Sequence, residues 1–297
     1  KETVVAENKL ETLRNYLEEF KVRIVLTAHP TQFYPGSVLG IITDLTTAIK
    51  ANDLLRINDL LAQLGKTPFF KHKKPTPYDE AVSLIWYLEH VFYDSFGTIF
   101  DYIQQNIFDG NTIDNDIINV GFWPGGDRDG NPFVTPEITL KVAKRLHESI
   151  IKNYYRDIRR VKRKLTFQGV EERILVLEKE LYNMTLDKPS TLTLTSLTEE
   201  LQAIKEVVIN DHQSLYVTEL TSLLNKIHLF GFHFSNLDIR QDSRAHNTVF
   251  NTMVNTLAEN GSTIFPANYH DLSSKEQVKL LAKVKGKVDL SLIKDED

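Results

Sequence analysis

The sequence of 297 residues contains no cysteine, which excludes disulfide frameworks, thiolate metal sites and cysteine nucleophiles. It also has no basic surplus: the formal net charge is −5, which argues against a general nucleic-acid binder. No apolar stretch reaches the length that spans a bilayer, and the first twenty residues are typical of an amphipathic helix rather than a signal peptide. We therefore expect no membrane or nucleic-acid partner, and the lack of cysteine is compatible with a reducing cytoplasm without proving it.

Helical periodicity dominates the chain. Apolar residues at steps of three and four predict one helix along the stripe Leu39, Ile42, Leu45 and Ile49, and a second along the stripe Leu54, Ile57, Leu61 and Leu64. A third helix is predicted around residues 220–227. Aromatic residues at helical spacing are predicted to lie in the core; they are Trp86, Tyr87, Phe92, Tyr93, Phe96 and Phe100.

Three local signals mark where helices begin. Thr76-Pro77 and Thr135-Pro136 each combine an N-cap residue with proline at the first helical position, and the second pair opens a helix predicted to reach Leu165. Ser273 and Glu276 form a capping box before another helix. The basic run 156–164 falls on the helix that Thr135 opens, so in a net-acidic chain it predicts a solvated face.

Strand candidates are few and short: 22–26, 120–123 and a third within 230–239. Each is followed by a polar loop and then a helix, which predicts a parallel βα arrangement. The expected fold is therefore α/β and predominantly α-helical, with about three short parallel strands. The threonine-rich segment 185–198 predicts a surface connection, with a short strand at 192–195 as the alternative.

The first strand is followed by a cluster, 27–31, that contains His29. Histidine serves as an acid or base near neutral pH without large changes to its pKa. A structural histidine bonded to a nearby carbonyl is the alternative.

A second cluster, 125–132, follows the second strand. Gly125, Gly126 and Gly130 allow a tight loop whose exposed backbone amides would suit an oxyanion. Arg128 lies between Asp127 and Asp129, which predicts a guanidinium fork held by ion pairs. A ligand-free turn and a buried salt-bridge cluster remain alternatives. A calcium loop does not fit, because Ile138 occupies the twelfth position, where glutamate is required.

The third cluster, 237–242, places Asp238 and Arg240 two residues apart, on one face of a strand. An arginine held by a carboxylate at a strand end is suited to binding phosphate, although a solvated arginine is equally compatible. Arg244 and His246 follow in the next turn and face either the same pocket or solvent.

Four stretches in this order resemble the phosphoenolpyruvate carboxylase family: 25–31, 75–81, 125–132 and 230–243. The resemblance implies a homotetrameric cytoplasmic enzyme built on a helix-elaborated (β/α)8 TIM-type barrel. It further implies conversion of phosphoenolpyruvate and bicarbonate, with Mg²⁺ or Mn²⁺, to oxaloacetate and phosphate. This carbon fixation is anaplerotic and feeds the tricarboxylic acid cycle.

The resemblance also implies roles for individual residues. His29 is associated with the carboxylation half of the reaction, and Arg128 and Arg240 with binding anionic substrate or stabilising charge. The residues implied to bind anion or to form the scaffold of the site are Asp127, Asp129, Gly125, Gly126, Asn131, Asp238 and Arg244. No metal ligand of the family is carried onto this chain.

Two residues depart from the family pattern: Gln32 replaces the usual glutamate, and Ala245 replaces an arginine often found there. Family members are several-fold longer, so we expect residues 1–297 to form a single fragment of the catalytic domain, with about three barrel strands and without the C-terminal remainder. We expect this fragment alone to be inactive. The alternative function is a non-catalytic helical scaffold or assembly module that keeps the family's anion-binding loops.

Overall fold

The computed structural model describes residues 9–27, 35–69, 75–266 and 268–285. The chain divides into two compact units with the boundary between Ile239 and Arg240. Among the described residues, no helix is long and apolar enough to cross a membrane.

The first unit is mostly helical, with three short strands interspersed among its helices. Its elements are α1 (Leu10–Glu19), β1 (Val22–Leu26), α2 (Gly36–Lys50), α3 (Leu54–Lys66), α4 (Pro77–Tyr87), a π-helical turn (Leu88–Phe92), α5 (Tyr93–Ile107), β2 (Ile118–Phe122), α6 (Pro136–Lys162), α7 (Glu171–Thr185), α8 (Leu194–Asp211), α9 (Val217–Phe230) and β3 (Asn236–Leu237). This confirms the predicted α/β class with predominantly helical content.

The second unit contains two helices and a short 3₁₀ turn among its described residues. They are α10 (Ser243–Glu259), the turn Tyr269–Asp271 and α11 (Ser274–Leu281). Its own small core is formed by Val254, Leu257, Phe265 and Tyr269. Ser273 and Glu276 form the predicted capping box at the start of α11.

The predicted threonine caps are confirmed. Thr76 and Asp79 form a reciprocal capping box at the start of α4, with hydrogen bonds of 3.2 and 3.0 Å. Thr135 accepts from the backbone amide of Ile138 at 3.4 Å and so caps α6. These side chains satisfy amides that the first helical turn leaves unpaired. Helix α6 ends at Lys162, slightly before the predicted Leu165.

The prediction for segment 185–198 is partly wrong, because α8 begins within it, at Leu194. Thr193 and Ser196 exchange hydrogen bonds of 3.0 and 2.9 Å in a capping box. The hydroxyl residues that indicated a loop therefore cap a helix instead, as short polar side chains often do. The alternative strand at 192–195 is also wrong.

The three strands form one parallel sheet in the order β1, β2, β3. Val22 pairs with Ile118 at one end, and Phe122 pairs with Leu237 at the other. One face packs on the helices through residues that alternate along the strands; they are Ile24, Leu26, Ile118, Val120, Phe122 and Leu237. On the opposite face the side-chain amide of Asn236 donates to that of Asn119 at 3.0 Å.

The aromatic prediction is correct for Tyr93, Phe96 and Phe100, which are buried, but wrong for Trp86, which is 36% exposed. The π-helical turn between α4 and α5 explains the difference. The turn inserts one extra residue into the helical repeat. The row of buried residues in α5 is therefore not in phase with Trp86, as it would be in one continuous α-helix.

Helices α2 and α3 form a hairpin with its own core of Ile41, Ala48 and Leu60. The predicted stripes are partly wrong, since Ile49 and Leu61 are more than half exposed. Both helices carry apolar residues on more than one face, and the sequence period alone does not decide which face meets the partner helix.

An ion cluster joins helices α5, α6 and α9. The Lys226 ammonium lies 2.9 Å from an oxygen of Asp94 and 3.0 Å from an oxygen of Asp157. The Tyr93 hydroxyl donates to Asp157 at 2.9 Å, and burial, followed by the Asp157 charge, raises the pKa of this tyrosine. Gly97 leaves room for the lysine, since a Cβ there would lie 2.7 Å from its Cε.

The basic run of α6 also forms ion pairs with neighbouring helices. Lys162 pairs with Glu178 of α7, and Lys164 lies 2.5 Å from Glu219 of α9. Arg159 and Arg160 remain more than half exposed, as predicted for a solvated face.

We predict that Lys226→Met lowers the free energy of unfolding by about 3 kcal/mol, because it leaves the buried Asp157 carboxylate without its ammonium partner. Urea denaturation followed by circular dichroism measures the change. Lys144→Met is the matched control: it removes an ion pair with Asp187 in which both side chains are more than half exposed. We expect no measurable change there; equal effects of the two variants would contradict the prediction.

Candidate active site

A cavity of about 730 Å³ opens beyond the carboxyl ends of β1 and β2. Thr27 follows β1, and Trp123 follows β2, so the parallel sheet itself brings these two residues together. The start of α4 adds Thr76 and Glu80 to the lining. The loop after β2 contributes further lining residues; they include Gly125, Asp127, Asp129 and Asn131.

The loop after β2 is a tight turn held by backbone hydrogen bonds. The amides of Gly126 and Asp127 both donate to the Trp123 carbonyl at 2.9 Å. The prediction that the loop amides are exposed for an oxyanion is therefore wrong for these two, because they are used within the turn. These two amides are therefore not available to an anion in this cavity.

Two glycines of this loop are required for close packing. Gly125 has φ of +84°, and a Cβ there would lie 2.6 Å from Val142 of α6. A Cβ on Gly126 would overlap the carbonyl oxygen of Asp238. The loop is thus pressed between the start of α6 and the backbone that follows β3.

Arg128 contacts helix α6 rather than the flanking aspartates. Its Nη2 donates to the Thr139 hydroxyl at 3.3 Å, and that hydroxyl in turn donates to the Gly125 carbonyl at 2.6 Å. The predicted ion-paired fork with Asp127 and Asp129 is therefore wrong. The Arg128 Nε is buried and has no hydrogen-bond partner among the described residues, so this arginine retains a donor for a ligand.

Glu137, in the first turn of α6, has a lowered pKa. Hydrogen bonds from the Thr135 side chain and from its own backbone are the main causes, and the Arg128 charge adds to them. A carboxylate at a helix N-terminus is favourably placed in its ionised form.

Asp238 connects all three strands. Its carboxylate pairs with the Arg23 guanidinium of β1, and it accepts from the Trp123 indole at 3.2 Å. Its backbone amide donates to the Phe122 carbonyl at 2.9 Å, which extends the pairing of β2 with β3. These contacts occupy the carboxylate that was one predicted partner of Arg240.

Two of the remaining predicted site residues, Arg240 and Arg244, belong to the second unit. His29 and Gln32 fall outside the described residues. Arg240 opens the second unit, where Asp242 caps α10 by accepting from the Arg244 amide at 2.7 Å. The Arg244 side chain, 90% exposed, pairs with the same carboxylate at 2.8 Å, and this bond lowers the pKa of Asp242.

Sequence reasoning missed three residues that shape the site: Arg23, Trp123 and Thr139. Arg23 had a signal, since it is a single charge within an otherwise apolar strand. Trp123 was assigned to the strand end without a role in the site. Thr139 had no signal, because a threonine in the second turn of a helix is ordinary.

A metal site is not found in the part of the chain that the structure describes. No three histidine, aspartate or glutamate side chains there are grouped so that they could hold an ion. The described residues therefore do not fit the divalent metal that the resemblance implies for the full-length protein.

A family model described as phosphoenolpyruvate carboxylase matches residues 2–191 and 178–294, which is most of the chain. The chain belongs to the phosphoenolpyruvate carboxylase family. The cavity lining thus contains residues from three of the four stretches that carry the resemblance, and Asp238 belongs to the fourth.

Relatives named phosphoenolpyruvate carboxylase are similar at low identity. The protein from Shewanella sediminis is 28% identical over 327 aligned positions, which cover 93% of this chain and 36% of the relative. The protein from Nitrosomonas eutropha is 25% identical over 346 aligned positions, which cover 96% of this chain and 36% of the relative. The protein from Shewanella loihica is 28% identical over a match that covers 78% of this chain and 32% of the relative. The chain therefore spans about a third of the length of these phosphoenolpyruvate carboxylases.

We predict that Gly126→Ala destabilises the chain by about 1–3 kcal/mol, because the new methyl group collides with the Asp238 carbonyl and the backbone has to shift. Thermal unfolding measures this effect. Gly40→Ala in α2 is the control, since nothing lies within 4 Å of its new Cβ; we expect stabilisation of up to about 1 kcal/mol. A Gly126→Ala variant as stable as the unaltered chain would show that the loop does not pack against β3 in solution.

Proposed function

We propose that the full-length family member containing this chain is a phosphoenolpyruvate carboxylase, a carbon-carbon lyase that forms oxaloacetate and phosphate from phosphoenolpyruvate and bicarbonate. The observation that supports this is that three of the four resembling stretches line one cavity. Thr27, Thr76 and the loop after β2 line the cavity. The Asp238 carboxylate accepts a hydrogen bond from the indole of Trp123, which also lines it. The carboxyl ends of parallel strands are the usual location of active sites in βα folds.

In the proposed reaction a bicarbonate oxygen attacks the phosphorus of phosphoenolpyruvate, and the bond from phosphorus to the enol oxygen breaks. Carboxyphosphate and the enolate of pyruvate result. His29 accepts the carboxyl proton as CO2 leaves and returns it to phosphate, a role that suits a group with a pKa near neutrality. The enolate carbon then attacks CO2 to form oxaloacetate.

Arg128 and Arg240 are the proposed anion-binding side chains. The unpartnered Nε of Arg128 is the described donor that best supports this role, because a buried N–H group without a partner favours an incoming oxyanion. The Thr139 contact holds the same side chain against α6. We assign the lining residues Asp127 and Asn131 to the scaffold of the site.

The length of the chain supports the expectation that it is inactive alone. It spans about a third of the phosphoenolpyruvate carboxylases that it matches. Three carboxylates line the cavity, Glu80, Asp127 and Asp129, and no arginine or lysine does so among the described lining residues. We propose that the remainder of the catalytic domain supplies further positive charge for the substrate.

The finer features of the enzyme are part of the same proposal. The sheet of β1, β2 and β3 becomes part of a helix-elaborated (β/α)8 barrel, and the full-length protein is a cytoplasmic homotetramer. Mg²⁺ or Mn²⁺ would bind ligands outside this chain and polarise the substrate. The competing function, a non-catalytic scaffold, is favoured by one observation, that Arg128 contacts α6 instead of lining the cavity.

We predict that Arg128→Ala in the full-length protein lowers kcat/KM for phosphoenolpyruvate by about 100-fold or more, because an electrostatic contact to the transferring group is lost. A coupled assay of oxaloacetate formation measures this, with Arg159→Ala as the control for an exposed arginine of α6. The 297-residue chain is expected to show no turnover in the same assay.

Two outcomes would contradict the proposal. Metal-dependent turnover by the 297-residue chain would show that it contains a complete site. Unchanged phosphoenolpyruvate affinity in both Arg128→Ala and Arg240→Ala, measured by calorimetry on the full-length protein, would remove the anion-binding assignment and favour the scaffold.

A further inference from the structure

Arg23 and Asp238 form an ion pair across the full width of the sheet. Arg23 lies on β1 and Asp238 directly follows β3, so β2 runs between them. Neighbouring strands lie about 4.8 Å apart, and the two outer backbones are therefore about 10 Å apart. Few side-chain pairs bridge this span, and arginine is the longest residue available for it.

Gly121 of β2 is the reason that the pair can form. A Cβ at this position would lie 2.9 Å from the Arg23 Nε and 2.9 Å from an oxygen of Asp238. A side chain there would force at least one of the two charged groups to move. Glycine weakens a strand interior and is expected mainly where other groups must approach the backbone closely, and here the approaching groups are the two members of the ion pair.

The second oxygen of Asp238 accepts from the Trp123 indole at 3.2 Å, while the first is bound by Arg23. Backbone contacts to Phe122 and Gly126 fix the position of Asp238 itself. The ring torsion of tryptophan is broad in energy, so a hydrogen bond to the indole nitrogen restricts it. Trp123 lines the cavity, whereas Arg23 and Asp238 are absent from its described lining.

We propose that Asp238, braced by Arg23 across Gly121, is a positioning residue that holds the Trp123 indole in one orientation as a wall of the substrate cavity. The effect on substrate rests on the proposed function, whereas the effect on the indole does not. Arg23 directs the carboxylate along the sheet, and the carboxylate fixes the ring. The shape of the cavity next to the loop after β2 therefore depends on a residue of β1 that does not line it.

Fluorine NMR of the 297-residue chain labelled with 5-fluorotryptophan tests whether Arg23 and Asp238 hold the Trp123 indole in one orientation. The sequence contains only two tryptophans, so Trp86→Phe leaves Trp123 as the single reporter. We expect one narrow resonance in this background. Arg23→Met, which keeps most of the length but removes the charge, and Asp238→Ala are each expected to broaden or shift it. Arg23→Lys should restore it in part.

Lys21→Met is the matched control, because Lys21 pairs with Asp116 at 3.3 Å at the opposite end of the same strands. It removes an ion pair of the same sheet, between the start of β1 and the residues before β2, without touching Trp123. A merely structural role for Arg23 would change the urea midpoint in both variants and leave the Trp123 resonance unaltered. That result would overturn the proposal, as would an equal shift of the resonance in Lys21→Met.

The effect of the Trp123 orientation on substrate is tested in the full-length protein. We expect Arg23→Met to lower kcat/KM for phosphoenolpyruvate about tenfold, mainly through KM, because misplacement of a cavity wall weakens substrate positioning. An altered Trp123 resonance with unaltered KM would overturn the link to substrate. A full-length protein that forms no oxaloacetate refutes the proposed function, while the NMR result still decides the role of Asp238.

Discussion

The parallel pairing of β2 with both neighbouring strands is the constraint on which the site depends. It aligns the carboxyl ends of three strands that are about a hundred residues apart in sequence, and so brings Thr27, Trp123 and Asp238 to one edge. One face of the sheet is fixed by apolar packing on the helices. The alternation of side chains then commits Arg23, Gly121 and Asn236 to the other face.

Local features of the fold were predictable from the sequence. Thr76 and Thr135 cap helices because each hydroxyl accepts a hydrogen bond from an unpaired amide of the first turn, while the following proline takes the first helical position. This capping depends only on residues that are neighbours in sequence. The strand at Val22–Leu26 was predicted correctly, and the second strand within two residues. Predictions failed where two local signals compete, as at Thr193, whose hydroxyl is equally compatible with a loop and a helix cap.

The candidate site was predictable in its loops but not in its contacts. The glycine-rich loop lies at the cavity as expected, yet Arg128 reaches Thr139 eleven residues along the chain instead of its neighbours. The pair of Arg23 with Asp238 joins residues 215 positions apart, and only the register of the sheet brings them together. Pairs of this kind depend on the tertiary structure, so composition and periodicity do not predict them.

The hairpin of α2 and α3 has a consequence for the order of folding. Its core is made of residues close in sequence, whereas the sheet must first join Val22 to Ile118. Closing a long loop costs entropy before any contact offsets it, so contacts between near neighbours form sooner. We therefore expect the hairpin to be structured early and the strand ends to come together late, which makes the cavity the last part of the first unit to acquire its shape.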